Sequence, residues 1–201
     1  MIEVDIEQLS SDWFKLRGAI PTASNFDKIV TSRGEASKQQ QAYLYQLAGE
    51  SLIGRKEESY TNYAMQRGID LEPEAKNFYE FITGNTLRQV GLCYQDEQQK
   101  WACSPDGLID DNGLFELKCP LLHTHVAYLL KGTLPVEYVQ QIQGSMMICD
   151  CQWADFMSYY PGVKPLIIRV ERDEEFISKL AKELDSFCDQ LALIIKKLKR
   201  L

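Results

Sequence analysis

The sequence predicts an α+β fold in which helices gather around a central sheet. Two long segments, Tyr63 to Ile82 and Asp173 to Leu201, repeat apolar residues at helical spacing. Short runs typical of strands, separated by turn residues, lie between those segments. With 201 residues, of which 45% are hydrophobic and 25% charged, the chain can bury one sizeable core. We therefore expect a single domain over residues 1–201.

Three helices are expected in the first 85 residues. A short one over Ala23 to Val30 follows Thr22 or Ser24, either of which can cap its first turn. A second helix covers about Gln41 to Ile53, and a third covers Tyr63 to Ile82. These helices form the N-terminal part of the expected fold.

Four short strands are expected next, as an antiparallel meander: Thr86 to Tyr94, Lys100 to Ser104, Leu108 to Ile109 and Gly113 to Lys118. The turn Asp111-Asn112-Gly113 joins the last two strands as a hairpin, because Asn-Gly favours the backbone conformation of a tight hairpin loop. The hairpin fixes which residues of the two strands face each other.

The remaining chain is predicted to form two helices and two strands. Pro135 suits the first position of a helix that runs to about Asp150. Strands at Trp153 to Tyr160 and Leu166 to Val170 follow, and an amphipathic helix from Asp173 to Leu201 packs on the domain.

Composition and charge argue against several classes of protein. There is no run of about 18 apolar residues, and the chain opens with acidic residues, so we expect no membrane span, no signal peptide and a cytoplasmic location. The net charge of −7 argues against DNA covering the whole surface but leaves room for a local basic groove. The cysteines lack paired spacing, so zinc and iron–sulfur sites are not expected and the thiols should be reduced and packed: Cys93, Cys103, Cys119, Cys149, Cys151 and Cys188.

The stretch SPDGLIDDNGLFELKCP, from Ser104 to Pro120, concentrates charges in a segment of predicted strands. Strand alternation puts Glu116 and Lys118 on one face, and the hairpin can bring Asp106 beside Glu116. Two carboxylates suit a hard cation such as Mg²⁺, and the ammonium of Lys118 could hold an attacking water. A surface Glu–Lys pair, with Asp106 serving a Pro-Asp-Gly turn, explains the same spacing about equally well.

The order of motifs favours the metal site. Asp106 followed by Glu116-Leu117-Lys118 resembles the PD-(D/E)xK nuclease signature, in the form found in the phage lambda exonuclease and YqaJ-type viral recombinase family. Three further blocks resemble that family in the expected order: WFKLRGAIPTAS (residues 13–24), MQRGIDLEPEA (residues 65–75) and EYVQQIQGSMM (residues 137–147). The resemblance implies a restriction-endonuclease-like core with a central mixed sheet flanked by helices.

The resemblance also implies roles for the charged residues. Asp106, Glu116 and the backbone carbonyl of Leu117 would bind Mg²⁺, and Lys118 would position the attacking water. Glu72 would contribute to a second metal. Two residues away, Glu74 is the alternative, and Pro73 between them should kink or start a helix, which leaves the direction of Glu72 open.

A second set of residues is assigned by the resemblance to a pocket for a terminal 5′-phosphate: Arg17, Ser24, Ser104 and Gln141. An arginine with several hydroxyl or amide donors can select a terminal phosphate, because it carries more charge and more free oxygens than an internal one. Taken singly, Ser24 could cap a helix, Gln141 could lie on a helix surface and Arg17 could form a surface ion pair.

The function implied is that of a Mg²⁺-dependent exonuclease acting 5′ to 3′ on linear double-stranded DNA. It would use two Mg²⁺ ions, or Mn²⁺ in their place, release 5′-mononucleotides and leave 3′ tails for a single-strand annealing protein. The family also implies a trimeric ring and a phage or prophage origin, with the protein in the bacterial cytoplasm. The alternatives are an endonuclease of the same superfamily and a non-catalytic module that binds DNA ends or a recombinase.

Three other features are open. His123 and His125 form a His-x-His pair in an expected loop, but no paired metal ligands lie near them in sequence. The basic residues near the C-terminus suit either DNA phosphate or the negative end of a helix dipole: Lys196, Lys197, Lys199 and Arg200. The better candidates for a DNA-facing surface are Lys15, Arg33, Lys38 and Arg55.

Overall fold

A computed structural model describes residues 1–54 and 63–200, so Arg55 lies outside the described residues. The helices are α1 (Ser11–Arg17), α2 (Gln40–Ile53), α3 (Tyr63–Thr83), α4 (Leu122–Lys131), α5 (Val139–Cys149) and α6 (Glu174–Leu198), with 3₁₀ helices at Ala23–Lys28 and Val136–Tyr138. The strands are β1 (Ile2–Val4), β2 (Leu87–Arg88), β3 (Leu92–Tyr94), β4 (Ala102–Cys103), β5 (Gly107–Ile109), β6 (Gly113–Lys118), β7 (Trp153–Ser158) and β8 (Leu166–Glu171). Within the described ranges, no helix is both long and apolar enough to cross a membrane.

The strands form two sheets. The larger has the order β2-β5-β6-β7-β8, in which β6 and β7 run parallel and the other neighbours run antiparallel. The smaller is antiparallel, with the order β1-β3-β4. The predicted α+β class, with a central mixed sheet flanked by helices, is confirmed.

The predicted antiparallel meander is wrong. The segment Thr86 to Tyr94 is divided between the sheets, because β2 pairs with β5 whereas β3 pairs with β4. Between β2 and β3, a Cβ on Gly91 would stand 1.9 Å from the carbonyl oxygen of Ile6, so the N-terminal segment packs directly against the backbone there. Alternating apolar residues reveal a strand but not a change of partner, which is why the sequence suggested one strand.

Several local expectations also need correction. His123 and His125 lie in α4 rather than in a loop, because the parallel pairing of β6 and β7 needs a long crossover. α3 continues through Pro73, so no helix starts there. Pro135 precedes a 3₁₀ turn, and α5 begins only at Val139. The sequence reading also missed α1, whose first turn is capped by the side chain of Ser10.

The larger sheet is covered on both faces. Leu114 of β6 packs in the main core with residues of α2, α5 and α6, whereas Phe115 and Leu117 pack in a second core with α3. Because strand side chains alternate, Glu116 shares the face of Leu114 and points towards α5. This placement gives the charged residues of β6 a protein layer above them.

Gly144 of α5 packs closely against Phe26 of the 3₁₀ helix Ala23–Lys28. A Cβ at this position would stand 2.4 Å from Cδ2 of Phe26. We expect Gly144→Ala to lower the free energy of unfolding by about 1–3 kcal/mol, since the ring of Phe26 is fully buried and cannot yield. Urea denaturation measures the change. Gly49→Ala in α2, where nothing lies within 4 Å, is the control and should stabilise by about 1 kcal/mol through helix propensity.

Candidate active site

The β5–β6 hairpin brings Asp106 beside Glu116, as predicted from the sequence. Asp106 precedes β5, whose first residue, Gly107, pairs with Phe115 of β6. Its Oδ2 accepts a 2.6 Å hydrogen bond from the backbone N–H of Leu117. This bond holds the carboxylate of Asp106 against the strand that carries Glu116 and Lys118.

Glu116 is the centre of a polar cluster. Its side chain is only 2% exposed, and its Oε1 accepts hydrogen bonds from Nζ of Lys118 and, at 2.6 Å, from Nε2 of Gln141. The side chain of Lys118 is 25% exposed and its Nζ lies 5.1 Å from the ring centre of Tyr138. The ammonium therefore stands at the solvent side of a buried carboxylate.

With both carboxyls ionised, the cluster of Asp106, Glu116 and Lys118 carries one negative charge in excess. Burial, followed by the charge of Glu116, raises the pKa of Asp106 to about 7, although Lys118 and the Leu117 N–H act in the opposite sense. For Lys118, burial lowers the pKa, but the attraction of Glu116 and Asp106 outweighs it and the pKa is raised. Two carboxylates thus share one ammonium, which favours the binding of a further cation.

The donor set fits a hard divalent cation. Mg²⁺ and Mn²⁺ take oxygen ligands, commonly one or two carboxylates with water and phosphate oxygens. Asp106 and Glu116 supply such oxygens in a partly enclosed site with excess negative charge. The backbone N–H of Leu117 is used by Asp106, and the role of its carbonyl as a ligand stays a prediction.

Glu72 and Glu74 have different neighbours in the structure. Glu72 lies close enough to the cluster for its charge to raise the pKa of Asp106, and it pairs with Lys76 at 2.6 Å. Glu74 instead accepts a hydrogen bond from the hydroxyl of Tyr159. The geometry therefore favours Glu72 as the residue of α3 that faces the carboxylate cluster.

Three of the four residues assigned to a phosphate pocket lie together. Arg17 donates from Nη1 to Oγ of Ser104 at 3.0 Å and from Nη2 to Oγ of Ser24 at 3.2 Å. Burial lowers the pKa of Arg17 to about 10, so the guanidinium stays charged at neutral pH. Gln141 is not part of this group, because its amide binds Glu116.

Two residues of this group were missed in the sequence. The ring of Trp13 stacks under the guanidinium of Arg17 at 4.2 Å, and its Nε1 donates to Oγ of Ser104 at 2.9 Å. Thr22 also accepts from Arg17, at 3.4 Å. The spacing of Trp13 and Arg17 by four residues, after the capping residue Ser10, would have predicted a shared helix face.

The two residues of the His-x-His pair lie in different surroundings. His125 is buried, with Nδ1 2.8 Å from the hydroxyl of Ser158 and Nε2 3.0 Å from the carbonyl oxygen of Lys164. His123 is exposed. Over residues 1–54 and 63–200, neither histidine belongs to a group of converging metal ligands.

The fold and the Asp–Glu–Lys cluster define a protein of the PD-(D/E)xK nuclease class. The chain belongs to the family of the YqaJ-like viral recombinase domain, whose model matches residues 12–152. Its structure is similar to that of LHK-Exo, an alkaline exonuclease from Laribacter hongkongensis, with 34% identity, a TM-score of 0.87 and coverage of 95% of this chain and 97% of that one.

Two further solved structures are similar. LHK-Exo in complex with dAMP gives a TM-score of 0.86 at 34% identity, with 95% of this chain and 97% of that chain covered. A phage-related exonuclease from Haemophilus somnus 129PT shares the fold at 17% identity and a TM-score of 0.71, with 89% and 96% covered. No curated protein matches the chain.

Proposed function

We propose that this protein is a Mg²⁺-dependent exonuclease that degrades one strand of linear double-stranded DNA from 5′-phosphorylated ends. It releases 5′-mononucleotides and leaves 3′ tails for a single-strand annealing protein. The observation that carries the proposal is the convergence of Asp106, Glu116 and Lys118 on the β5–β6 hairpin. The 34% identity to LHK-Exo, described as an alkaline exonuclease, supports it.

Each residue of the cluster has a distinct task in this reaction. Asp106 and Glu116 would hold Mg²⁺, with the carbonyl of Leu117, and Glu72 would contribute to a second ion. Bound Mg²⁺, or Mn²⁺ in its place, supplies Lewis-acid polarisation of the phosphate and a more acidic water. Lys118 orients the attacking water through its ammonium and stabilises the negative charge that develops on the phosphate oxygens.

The Arg17 group binds the DNA end in this proposal. The guanidinium offers a planar fork of donors, and the hydroxyls of Ser24 and Ser104 add hydrogen bonds to a terminal phosphate. Gln141 carries two N–H groups on Nε2, one of which goes to Glu116. In this proposal the second N–H of Nε2 binds the terminal phosphate, so that Gln141 connects the Arg17 group with the carboxylate cluster.

A closed ring accounts for how an acidic protein keeps its substrate. With a net charge of −7, the chain as a whole does not attract DNA. By the family resemblance, three copies would enclose the duplex, so that topology rather than net charge retains the DNA. Light scattering of the purified protein tests the trimer.

One assay tests the proposed activity against its alternatives. The protein is incubated with Mg²⁺ and end-labelled linear duplex, covalently closed circular DNA or single-stranded DNA. We expect loss of the linear duplex alone, beginning at the 5′ ends. Cutting of closed circles would show an endonuclease instead, and binding without cleavage would show a non-catalytic module.

The affinity for Mg²⁺ should rise with pH through about 7. Asp106, whose pKa is raised to about 7, holds a proton below that pH, and the proton competes with the cation. Titration calorimetry at a series of pH values measures the change, and an affinity independent of pH would contradict the role of Asp106.

The raised pKa of Asp106 should make the metal-free protein less stable as the pH rises, whereas Mg²⁺ affinity should increase. Between the ordinary value of 3.8 and about 7, the folded protein keeps a proton on Asp106 that the unfolded chain has released. This contribution to stability is therefore lost as the pH rises across that window. Urea denaturation without metal, over the same pH values, measures it.

A further inference from the structure

Three buried cysteines from separate elements meet at one point. Cys93 of β3, Cys103 of β4 and Cys149 at the end of α5 place their sulfur atoms within 4.8 Å of one another. The Sγ atoms of Cys103 and Cys149 are 3.4 Å apart. The three residues are 0%, 1% and 6% exposed. We call this group the thiol triad.

The dimensions of the thiol triad suit a metal ion. Metal–thiolate bonds of about 2.3 Å place three sulfurs in a plane around one ion about 4.0 Å apart, and the sulfurs of the triad lie within 4.8 Å of one another. The Cys103 and Cys149 sulfurs, at 3.4 Å, would have to move apart by about half an ångström to reach that spacing. Cys93 and Cys103 face each other across paired strands, so their spacing is set by the sheet.

The surroundings act differently on the three thiols, and the pKa of Cys149 is raised by the neighbouring thiols of Cys103 and Cys93 and by burial. Arg17 lowers the pKa of Cys103, and Arg88 lowers that of Cys93, although for Cys103 burial is the larger effect and raises its pKa overall. The hydrogen bonds of Cys93 with the thiols of Cys103 and Cys149 have a larger effect than Arg88 and lower the pKa of Cys93 overall. Two guanidinium groups therefore lie where they can offset the negative charge of a metal–thiolate cluster.

We propose that Cys93, Cys103 and Cys149 bind one copper(I) ion in a trigonal, all-sulfur site. Three soft thiolates favour a soft monovalent ion, whereas zinc in structural sites takes four ligands. Among the described residues, the converging group contains these three ligands and no fourth. Binding forms three copper–sulfur bonds and releases the thiol protons to solvent. The site ties β3 and β4 of the smaller sheet to α5.

The test uses the reduced full-length protein without oxygen. Copper(I) is supplied from a competing chelator, and native mass spectrometry counts the bound ions. We expect one ion per chain, a thiolate-to-copper absorption band in the ultraviolet and a higher melting temperature. Zinc should bind at least tenfold more weakly. Failure of the wild-type protein to bind one copper(I) ion, or tighter binding of zinc, would overturn the proposal.

Variants locate the ion. Cys103→Ser and Cys149→Ser should each weaken copper(I) binding at least 100-fold. Cys188→Ser should not, because the thiol of Cys188 lies on α6 and contacts the carbonyl of Lys100. Equal binding in all three variants, or equal loss, would contradict the assignment.

A measurement on the wild-type complex keeps the proposal testable if a serine variant does not fold. X-ray absorption at the copper edge should show three sulfur neighbours at one distance. Two sulfurs, or nitrogen and oxygen neighbours, would overturn the site. These measurements do not depend on nuclease activity, so they test the copper(I) site independently of the proposed exonuclease function.

Discussion

Asp106→Asn should abolish nuclease activity and at the same time stabilise the metal-free protein. Activity should fall on the order of 10³-fold, because the variant loses a charged metal ligand. Stability should increase above neutral pH, since burial and the charge of Glu116 both disfavour the ionised carboxyl of Asp106. An asparagine oxygen can still accept the hydrogen bond from the Leu117 N–H, so the hairpin keeps its geometry.

Three measurements check this pair of effects. Release of labelled nucleotides gives the activity, urea denaturation in a chelating buffer gives the stability, and the shift of melting temperature on adding Mg²⁺ reports binding. The wild-type protein should melt higher with Mg²⁺, whereas the variant should not respond. Asp111→Asn makes the same charge change at an exposed position of the hairpin turn and should leave activity unaltered. If Asp106→Asn kept nuclease activity within tenfold of wild type, Asp106 would not be a catalytic metal ligand.

Arg17→Ala should separate the recognition of the DNA end from the cutting of the strand. We expect degradation of 5′-phosphorylated duplex to slow by about 10- to 100-fold, which corresponds to the loss of charged hydrogen bonds to the terminal phosphate. Degradation of unphosphorylated duplex should change little, because that end offers no terminal phosphate to the guanidinium. The ratio of the two rates, measured on otherwise identical duplexes, is the result that matters.

Two further variants make the Arg17 experiment specific. Arg17→Lys keeps the charge but loses the planar fork and should give an intermediate ratio. Lys15→Ala removes an exposed charge of α1 that lies two residues before Arg17 and pairs with Asp12, and it should leave the ratio unchanged. Because Arg17 stacks on Trp13, the melting temperature of each variant is measured as well. Equal slowing on both duplexes by Arg17→Ala would argue against a phosphate pocket.

The parts of the fold that were predicted correctly rest on local patterns. The helix over residues 63–82 and the long C-terminal helix have clear periodicity, and Asp173 is the observed N-cap of α6. The Asp111-Asn112-Gly113 turn placed β5 against β6. The errors concern partners that are distant in sequence, such as the pairing of β3 with β1 and the parallel pairing of β6 with β7. Spacing along the chain carries no information on such partners.

The candidate site was also predicted where it depends on local patterns and missed where it depends on packing between distant elements. A two-residue period and one hairpin are enough to bring Asp106, Glu116 and Lys118 together, and both are visible in the sequence. The hydrogen bond from Gln141 to Glu116 could not be predicted from the sequence, because it depends on how α5 packs over the sheet. The thiol triad was missed for the same reason, since its cysteines are separated by 10 and 46 residues in the sequence and meet only through the sheet and α5.

The parallel alignment of β6 with β7 has a consequence for the order of folding. Gly113 lies opposite Trp153, and the chain between the two strands includes both α4 and α5. Contacts between residues so far apart form late, since a long loop must first be closed, so we expect folding in milliseconds to seconds rather than microseconds. The hairpin that carries Asp106 and Glu116 can form early, but Gln141 reaches Glu116 only when the crossover has docked. During synthesis, the cluster is therefore completed only after α5 has left the ribosome.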